Sequence, residues 1–464
     1  MKSVAAVPIA VTPSARFGAV LAANLSSDGA RLLHLTWVPT APGLADGNAG
    51  HVLAVYDVAG TVQGLAAPAR TPTRPSAAGV IAALVEEERL ALAGLAWAEP
   101  RPAHAIAGRG VFTFPLGPVR ADVAESLGWR FTVMGDEVLG LDLRSGYKPR
   151  HIETRLGPAG PEGGVALAER VSGTAPVAHA LAYCRAWEAA LGLEVPAVAV
   201  RERAVMAELE RLHSHLGDLA ALANSTGLPA AAAELYVLKE QTLRLCQWRT
   251  GHRYQRGVVR LGGVARVAPP EQLGPTLDRI GYRFARIRAQ LDRSPSFLDR
   301  LHTAGRIASE VARALQPVGP VGRACGLSYD VRSDAPYGWY ARVGAPVRCV
   351  VEGGDAFARY RVRVGEVEAT LAWLRAPGQA PASDEGESPP AVGLPGALWC
   401  ARVEAPRGEL VYLVCPQPDP WVRLRPASAV NWATVAPAAA AGNVLQDLPI
   451  IDASFSLSVA ALDR

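Results

Sequence analysis

The residues of this chain best placed for chemistry are arginines, acids and histidines set among glycine and proline. RSGYKPRHIE carries Arg144, Tyr147, Arg150 and Glu153. ERVSGTAPVAHALAYC, residues 169–184, carries Arg170, Ser172, Gly173, Ala175, His179 and Tyr183 and ends on Cys184. GPVGRACGLSYDVRSD holds Arg323, Asp330 and Arg332, and EAPRGE holds Arg407. A carboxylate and an imidazole exchange protons near neutral pH, so Glu153 and His179 are the candidate proton carriers. Guanidinium groups donate to carbonyls or anions, the chemistry open to Arg150 and Arg407. Taken singly, each of these residues reads more simply as a surface or packing residue.

Other chemistries are poorly supported. The six cysteines, Cys184, Cys246, Cys325, Cys349, Cys400 and Cys415, include no CxxC pair, so local zinc and iron–sulfur motifs are absent. His213 and His215 stand two apart in LHSHL and would point about 160° apart on a helix, which disfavours a shared metal. LGGV lacks the glycine spacing of a nucleotide-binding loop, and no GxSxG occurs. The net charge is +4 with acids and bases interspersed, which argues against a nucleic-acid partner. No run of about 18 apolar residues predicts a membrane span. No n-region and h-region open the chain, so a reducing cytoplasm is the expected setting.

The elements that must position these residues follow from pattern. RLLHLTWV and HVLAVYDV alternate as strands, and residues 77–97 read as a helix; together they predict a small α+β unit over residues 1–108. Residues 112–144 read as strands joined by turns, MGDE being one turn. A mainly helical body follows, with helices expected over 177–191, 201–228, 229–250, 270–292, 295–315 and 356–375. In the second of these, Val205, Leu209, Leu212, Leu216, Leu219 and Ala223 form an apolar stripe. Glu208, Arg211 and His215 flank that stripe and read as a buried ion-pair group. Residues 376–396 are rich in Pro, Gly, Ser and acid and read as a flexible insertion. ALWCARVEAPRGELVYLVC reads as two strands with EAPRGE as their turn.

The ordered set FPLGPV, GYKPRHIE, ERVSGTAPVAHALAYCRAWEAALG, ELERLHSHLGDLAAL, GGV, GPVGRACGLSYDVRSD, EAPRGE and LPIIDASFSLSVAALDR resembles one superfamily. It comprises the large subunits of membrane-bound nickel–iron hydrogenases, formate hydrogenlyase included, and the homologous 49-kDa quinone-site subunit of complex I. The resemblance runs from about residue 112 to the C-terminus. It implies an α+β chain in which residues 109–464 form the large-subunit domain. Residues 1–108 are similar to a degenerate form of the 30-kDa subunit of complex I.

In catalytic hydrogenases two CxxC pairs hold nickel and iron through thiolates, which suit soft metals. The matching positions here are Ser172 and Ala175, then Ser458 and Ala461. The resemblance therefore implies no nickel–iron centre and no metal on this chain. The hydrogenase arginine of APRG is kept as Arg407. In complex I a loop His and a Tyr face the quinone; here those positions hold Arg120 and Gly173. In the GYxHRGxE motif, Pro149 and His151 replace the His and the Gly, while Arg150 and Glu153 match. The implied cavity, lined by Glu153, Ser172, Ala175, His179, Arg407, Ser458 and Ala461, leaves room for a quinone or another acceptor. The implied partners are an Fe–S small subunit, whose cluster supplies electrons, and antiporter-like membrane subunits. They would hold the chain on the inner face of the cell membrane. The other reading is a catalytically silent scaffold.

Overall fold

The computed structural model describes residues 4–7, 9–11, 21, 31–38, 51–58, 61–68, 106–119, 125–265, 267, 273–378, 397–416 and 419–462. The architecture is α+β. Strands β1 (Val4–Val7), β2 (Ile9–Val11), β3 (Arg31–Val38), β4 (His51–Val58) and β5 (Thr61–Pro68) open the chain. β6 (Val111–Leu116), β7 (Gly128–Met134) and β8 (Glu137–Arg144) form a three-stranded antiparallel sheet with β7 in the centre. The helical body holds α1 (Ile152–Leu156), α2 (Gly160–Ala168), α3 (Pro176–Leu191), α4 (Ala197–Ser225) and α5 (Pro229–Thr250). A two-stranded ribbon, β9 (Val259–Arg260) with β10 (Gly263–Val264), comes next. The body continues through α6 (Leu273–Leu291), α7 (Pro295–Leu301), α8 (Ser309–Leu315), α9 (Gly319–Arg323), α10 (Val331–Asp334), α11 (Tyr340–Val343) and α12 (Ala356–Arg375). β11 (Leu398–Ala405), β12 (Gly408–Cys415) and β13 (Trp421–Arg425) precede α13 (Ala427–Ala439) and α14 (Leu448–Phe455).

The expected stripe on α4 is buried. Val205, Leu209, Leu212, Leu216, Leu219 and Ala223 pack with α5, α6 and α12 in one apolar cluster. A second cluster joins α2 and α3 to β11 and β12, whose sixteen residues are all buried. A strand pair covered on both faces reads as continuous hydrophobic sequence, as LWCARVEA and GELVYLVC largely do.

Of the N-terminal strands, β1 joins this sheet, while β2, β5, β4 and β3 form a second four-stranded sheet in that order. β1 pairs antiparallel with β11, from Val4↔Ala401 to Val7↔Leu398. Leu33, Leu53, Val55, Val62 and Ala66 share a core with Leu398, Cys400, Val411 and Leu413. Arg402 ties the two sheets by donating to Asp57 on β4 at 2.7 Å and to Glu409 at 2.9 Å.

The helix expected over 295–315 is two helices. Thr303 and Gly305 take positive φ of 65° and 59° and break it. At Gly305 a Cβ would meet Ile451 and Arg359 within about 3 Å, so the chain bends there to let α14 and α12 approach. The helix expected over 77–97 and residues 379–396 of the insertion lie outside the described residues.

Candidate functional site

The segment from Glu169 to Ala178 tightens from one helix into the next. Arg170 and Val171 donate back to Leu167 and Ala168, and Ala175 N–H reaches Ser172 O at 3.3 Å. Ser172 and Ala175 are therefore the two ends of a four-residue turn. Pro176, at the first position of α3, lacks the N–H that would otherwise be orphaned. The next two amides, Val177 N and Ala178 N, donate to the Glu210 carboxylate on α4 at 2.6 and 3.0 Å. Burial pushes Glu210 up to about 8 against these two donors. Ser172 Oγ lies 3.0 Å from Thr174 Oγ1. Gly173 is exposed, and a Cβ there would meet nothing within 4 Å.

A second turn follows α14, which Ser456 ends in the left-handed conformation at φ 53°. Ser458 Oγ accepts the N–H of Ala461 at 3.3 Å, while Ser458 N donates to Ser428 Oγ at 3.1 Å. The serine hydroxyl thus caps its own turn, a local side-chain-to-backbone bond that short polar residues favour.

Arg150 joins the two turns. It donates to Arg170 O and Val171 O, each at 2.6 Å, and also to Ala460 O. Two of these carbonyls directly precede Ser172 and Ala461. A planar guanidinium with five donors suits a clamp on three backbone oxygens, and lysine could not reproduce it.

Arg407 sits in the β11–β12 turn, donates to Ser456 O, and pairs with Asp218 at 3.1 Å. Asp218 opens a buried ring of charge. His215 Nδ1 lies 3.9 Å from Asp218, and its Nε2 lies 2.7 Å from Glu366. Glu366 binds Arg323 at 2.6 Å. Arg323 Nη1 is 3.1 Å from Glu404 and 3.4 Å from Asp330. Glu404 lies on β11, three residues before Arg407, and closes the ring through the backbone. A branch runs from Asp330 to Arg332 (2.7 Å) and on to Glu208 (2.8 Å), which also accepts from Tyr340 and Thr370.

Burial raises each of these acids, and arginine neighbours decide the outcome. Arg332 and Arg211 hold Glu208 below the usual range, and Arg323 and His215 hold Glu366 well below it. Arg407 does the same for Asp218. Glu404 differs: burial and the charge of Asp330 push it up to about 7 in spite of Arg323.

The expected site residues divide into two groups. Arg150 brings together the turns bearing Ser172, Ala175, Ser458 and Ala461, and Arg407 holds the end of the helix before the second turn. Glu153 and His179 each make a bond to the sheet. Glu153 accepts Leu424 N–H at 2.7 Å, and His179 Nδ1 lies 2.9 Å from Tyr412 Oη. Arg120 lies outside the described residues. The trio Glu208, Arg211 and His215 is buried as its pattern suggested, with Glu208 and Arg211 ion-paired and His215 hydrogen-bonded to Glu366. Sequence reading missed Glu210, Asp218, Glu366 and Glu404. The signal for Glu366 was present: Arg359, Val362, Arg363, Glu366, Val367 and Thr370 recur at three- and four-residue steps, a charged stripe on a helix that also carries apolar residues.

The four positions that the resemblance matches to metal ligands do not suit a soft-metal pair. Alanine brings no donor atom at 175 and 461, and both serine hydroxyls are engaged within their turns. Among the described residues no group of three or more His, Cys, Asp and Glu is arranged to hold a metal ion. No described helix is long and apolar enough to cross a membrane.

Comparison with known proteins places this geometry among relatives. The family described as respiratory-chain NADH dehydrogenase, 49 Kd subunit, matches residues 227–377. Formate hydrogenlyase subunit 5 of Escherichia coli is 29% identical over 366 residues, covering 75% of this chain and 62% of that protein. The carbon monoxide-induced hydrogenase of Rhodospirillum rubrum is 26% identical, covering 76% of this chain and 99% of that protein. NADH-quinone oxidoreductase subunit 4 of Thermus thermophilus is 31% identical over 264 residues, 56% of this chain and 64% of that protein. The chain thus spans about three-fifths of the length of two of these relatives. A solved chain of an archaeal respiratory membrane complex, the membrane-bound sulfane sulfur reductase, has the same fold. Its TM-score is 0.69 at 24% identity, over 77% of this chain and 99% of that one.

Proposed function

We propose, for a chain that belongs to the superfamily of membrane-bound hydrogenase large subunits and the 49-kDa subunit of complex I, a redox role without nickel. It takes electrons from the iron–sulfur cluster of a neighbouring small subunit and passes them to an acceptor other than a nickel-bound proton, a quinone being one such acceptor. The observation that carries this reading is the pair of turns. Arg150 and Arg407 hold them in place, while Ser172, Ala175, Ser458 and Ala461 stand where thiolates would be. Arg120, Arg150 and Gly173 would border the acceptor, and Gly173 leaves open space beside the first turn. The chain sits peripherally on the inner face of the membrane, held by membrane subunits of antiporter type. Phe112, Phe114 and Leu116, exposed on edge strand β6, are apolar area that a partner could cover.

A scaffold role is the second reading. It is favoured by Glu153 and His179 each holding a bond to the sheet. Turnover of the purified complex separates the two. Glu153→Gln keeps an acceptor for Leu424 N–H but cannot exchange protons, and His179→Gln can still reach Tyr412. On the redox reading either change abolishes turnover while the complex stays assembled. Unchanged turnover in both would leave the scaffold reading.

A further inference from the structure

Three carboxylates, Glu366, Asp330 and Glu404, converge on the single guanidinium of Arg323, and all four side chains are buried. Two of the three have a further cation or imidazole. Asp330 is held bidentate by Arg332, and Glu366 takes the imidazole of His215. Glu404 has Arg323 and the amide of Val331, the latter at 3.2 Å. It is therefore the member of the group least compensated by charge.

Its surroundings are charged from every side. Arg323 comes from α9, and Asp330 and Arg332 from α10 and its cap. Arg211 on α4 donates to the main-chain oxygens of Glu404 and Ala405 at 2.7 and 3.1 Å. Glu409 stands directly across the strand pair, itself bound to Arg402, Arg31 and Tyr329. Tyr337 Oη accepts the Glu404 amide at 3.1 Å.

The same group touches the turn that carries Arg407. α9 is five residues long. Its last residue, Arg323, binds Glu404. Its first, Gly319, lies so close under the Arg407–Gly408 peptide that a Cβ would come within 2.4 Å of Arg407 O. Asn431 fastens this contact by accepting from Val318 N and donating to Val318 O and Arg407 O.

We infer that the ring Glu404–Arg323–Glu366–His215–Asp218–Arg407 is a proton-binding site. Its titrating member is Glu404, and the proton it takes up positions Arg407. A proton from solvent binds a Glu404 carboxylate oxygen, no other covalent bond is made or broken, and the ion pair with Arg323 is released. Arg323 is then left with Glu366 and Asp330, and α9 delivers the altered tie to the Arg407 turn. Glu404 is a positioning residue in this scheme, and the proton is bound whether or not the chain reduces an acceptor.

Infrared difference spectra of the purified, fully assembled protein between pH 5 and pH 9 test this. A protonated-carboxyl C=O component should disappear with a midpoint near 7 and be missing in Glu404→Gln, which keeps only the component of Glu210 near 8. If no such band titrates in the wild-type protein, the proposal falls, whatever the variant does. Asp218→Asn, at the Arg407 end of the ring, should move the midpoint by about half a pH unit or more through network coupling. An unmoved midpoint would show Glu404 titrating alone and overturn the link to Arg407.

Discussion

The two turns and the charged ring lie at opposite limits of tolerance to substitution. The turns are fixed by backbone atoms: three carbonyls on Arg150, two amides on Glu210, one carbonyl on Arg407. None of these bonds involves a side chain at positions 172, 175, 458 or 461. Those side chains can change from thiolate to hydroxyl or methyl while the frame stays. The ring is the reverse. Its members are side chains held by one another, all buried except the half-buried Arg407, and removing a charged one leaves its partner uncompensated in the core. Side chains at the turn positions can thus change while the shape stays, because the shape is a backbone property.

That contrast predicts unequal mutational costs. Arg323→Ala should be the most damaging, losing about 3–5 kcal/mol because three buried carboxylates lose their shared cation. Arg150→Ala should cost less, roughly 2–3 kcal/mol, since the carbonyls it abandons are neutral and partly reached by water. Denaturant midpoints of the two variants give the ranking, and equal costs would blur the distinction drawn between the regions. Ser172→Ala and Ser458→Ala should each cost about 1 kcal/mol or less, the worth of one local hydrogen bond.

The pH dependence sharpens the same contrast from the side of the ring. Glu404 is raised to about 7 from 4.5, so the folded state binds more protons than the unfolded state between those values. Its contribution to stability is full below about 4.5 and is lost as pH rises towards 7. Glu409 is lowered to about 2 despite burial, chiefly by Arg31 and Arg402, so its contribution appears as pH rises from about 2 to 4.5. Thermal unfolding of Glu404→Gln should show a smaller loss between pH 4.5 and 7, because Glu210, pushed up to about 8, still contributes there, and should keep the gain below it. A small effect of opposite sign belongs to the residue after Arg150. His151 adopts φ 52°, ψ 38° at the head of α1, the left-handed region where glycine is unstrained. His151→Gly should therefore gain about 1 kcal/mol.

Much of the fold was legible because helical periodicity is a local property. The helices expected at 229–250 and 356–375 match α5 and α12 to the residue, and the strands at 31–38 and 51–58 match β3 and β4. What pattern could not show was pairing at a distance. β1 joins β11 across almost the whole chain, and nothing in VAAV names that partner. α13 was overlooked because ASAVNWATVAPAA is apolar nearly all round, which erases the periodic signal, and it contains Pro437. At the site, comparison with relatives located the two turns. It did not reveal that Arg150 bridges them, since three main-chain carbonyls leave no trace in side-chain sequence. It also favoured Glu153 and His179 over Glu404, whose environment is assembled from α4, α9, α10 and β12.

Metal analysis of the purified complex tests the central claim most directly. Serine and alanine at the four ligand positions predict nickel far below one atom per chain, unchanged when the protein is produced with excess nickel. About one nickel per chain, lost on replacing Ser172 or Ser458, would contradict the account.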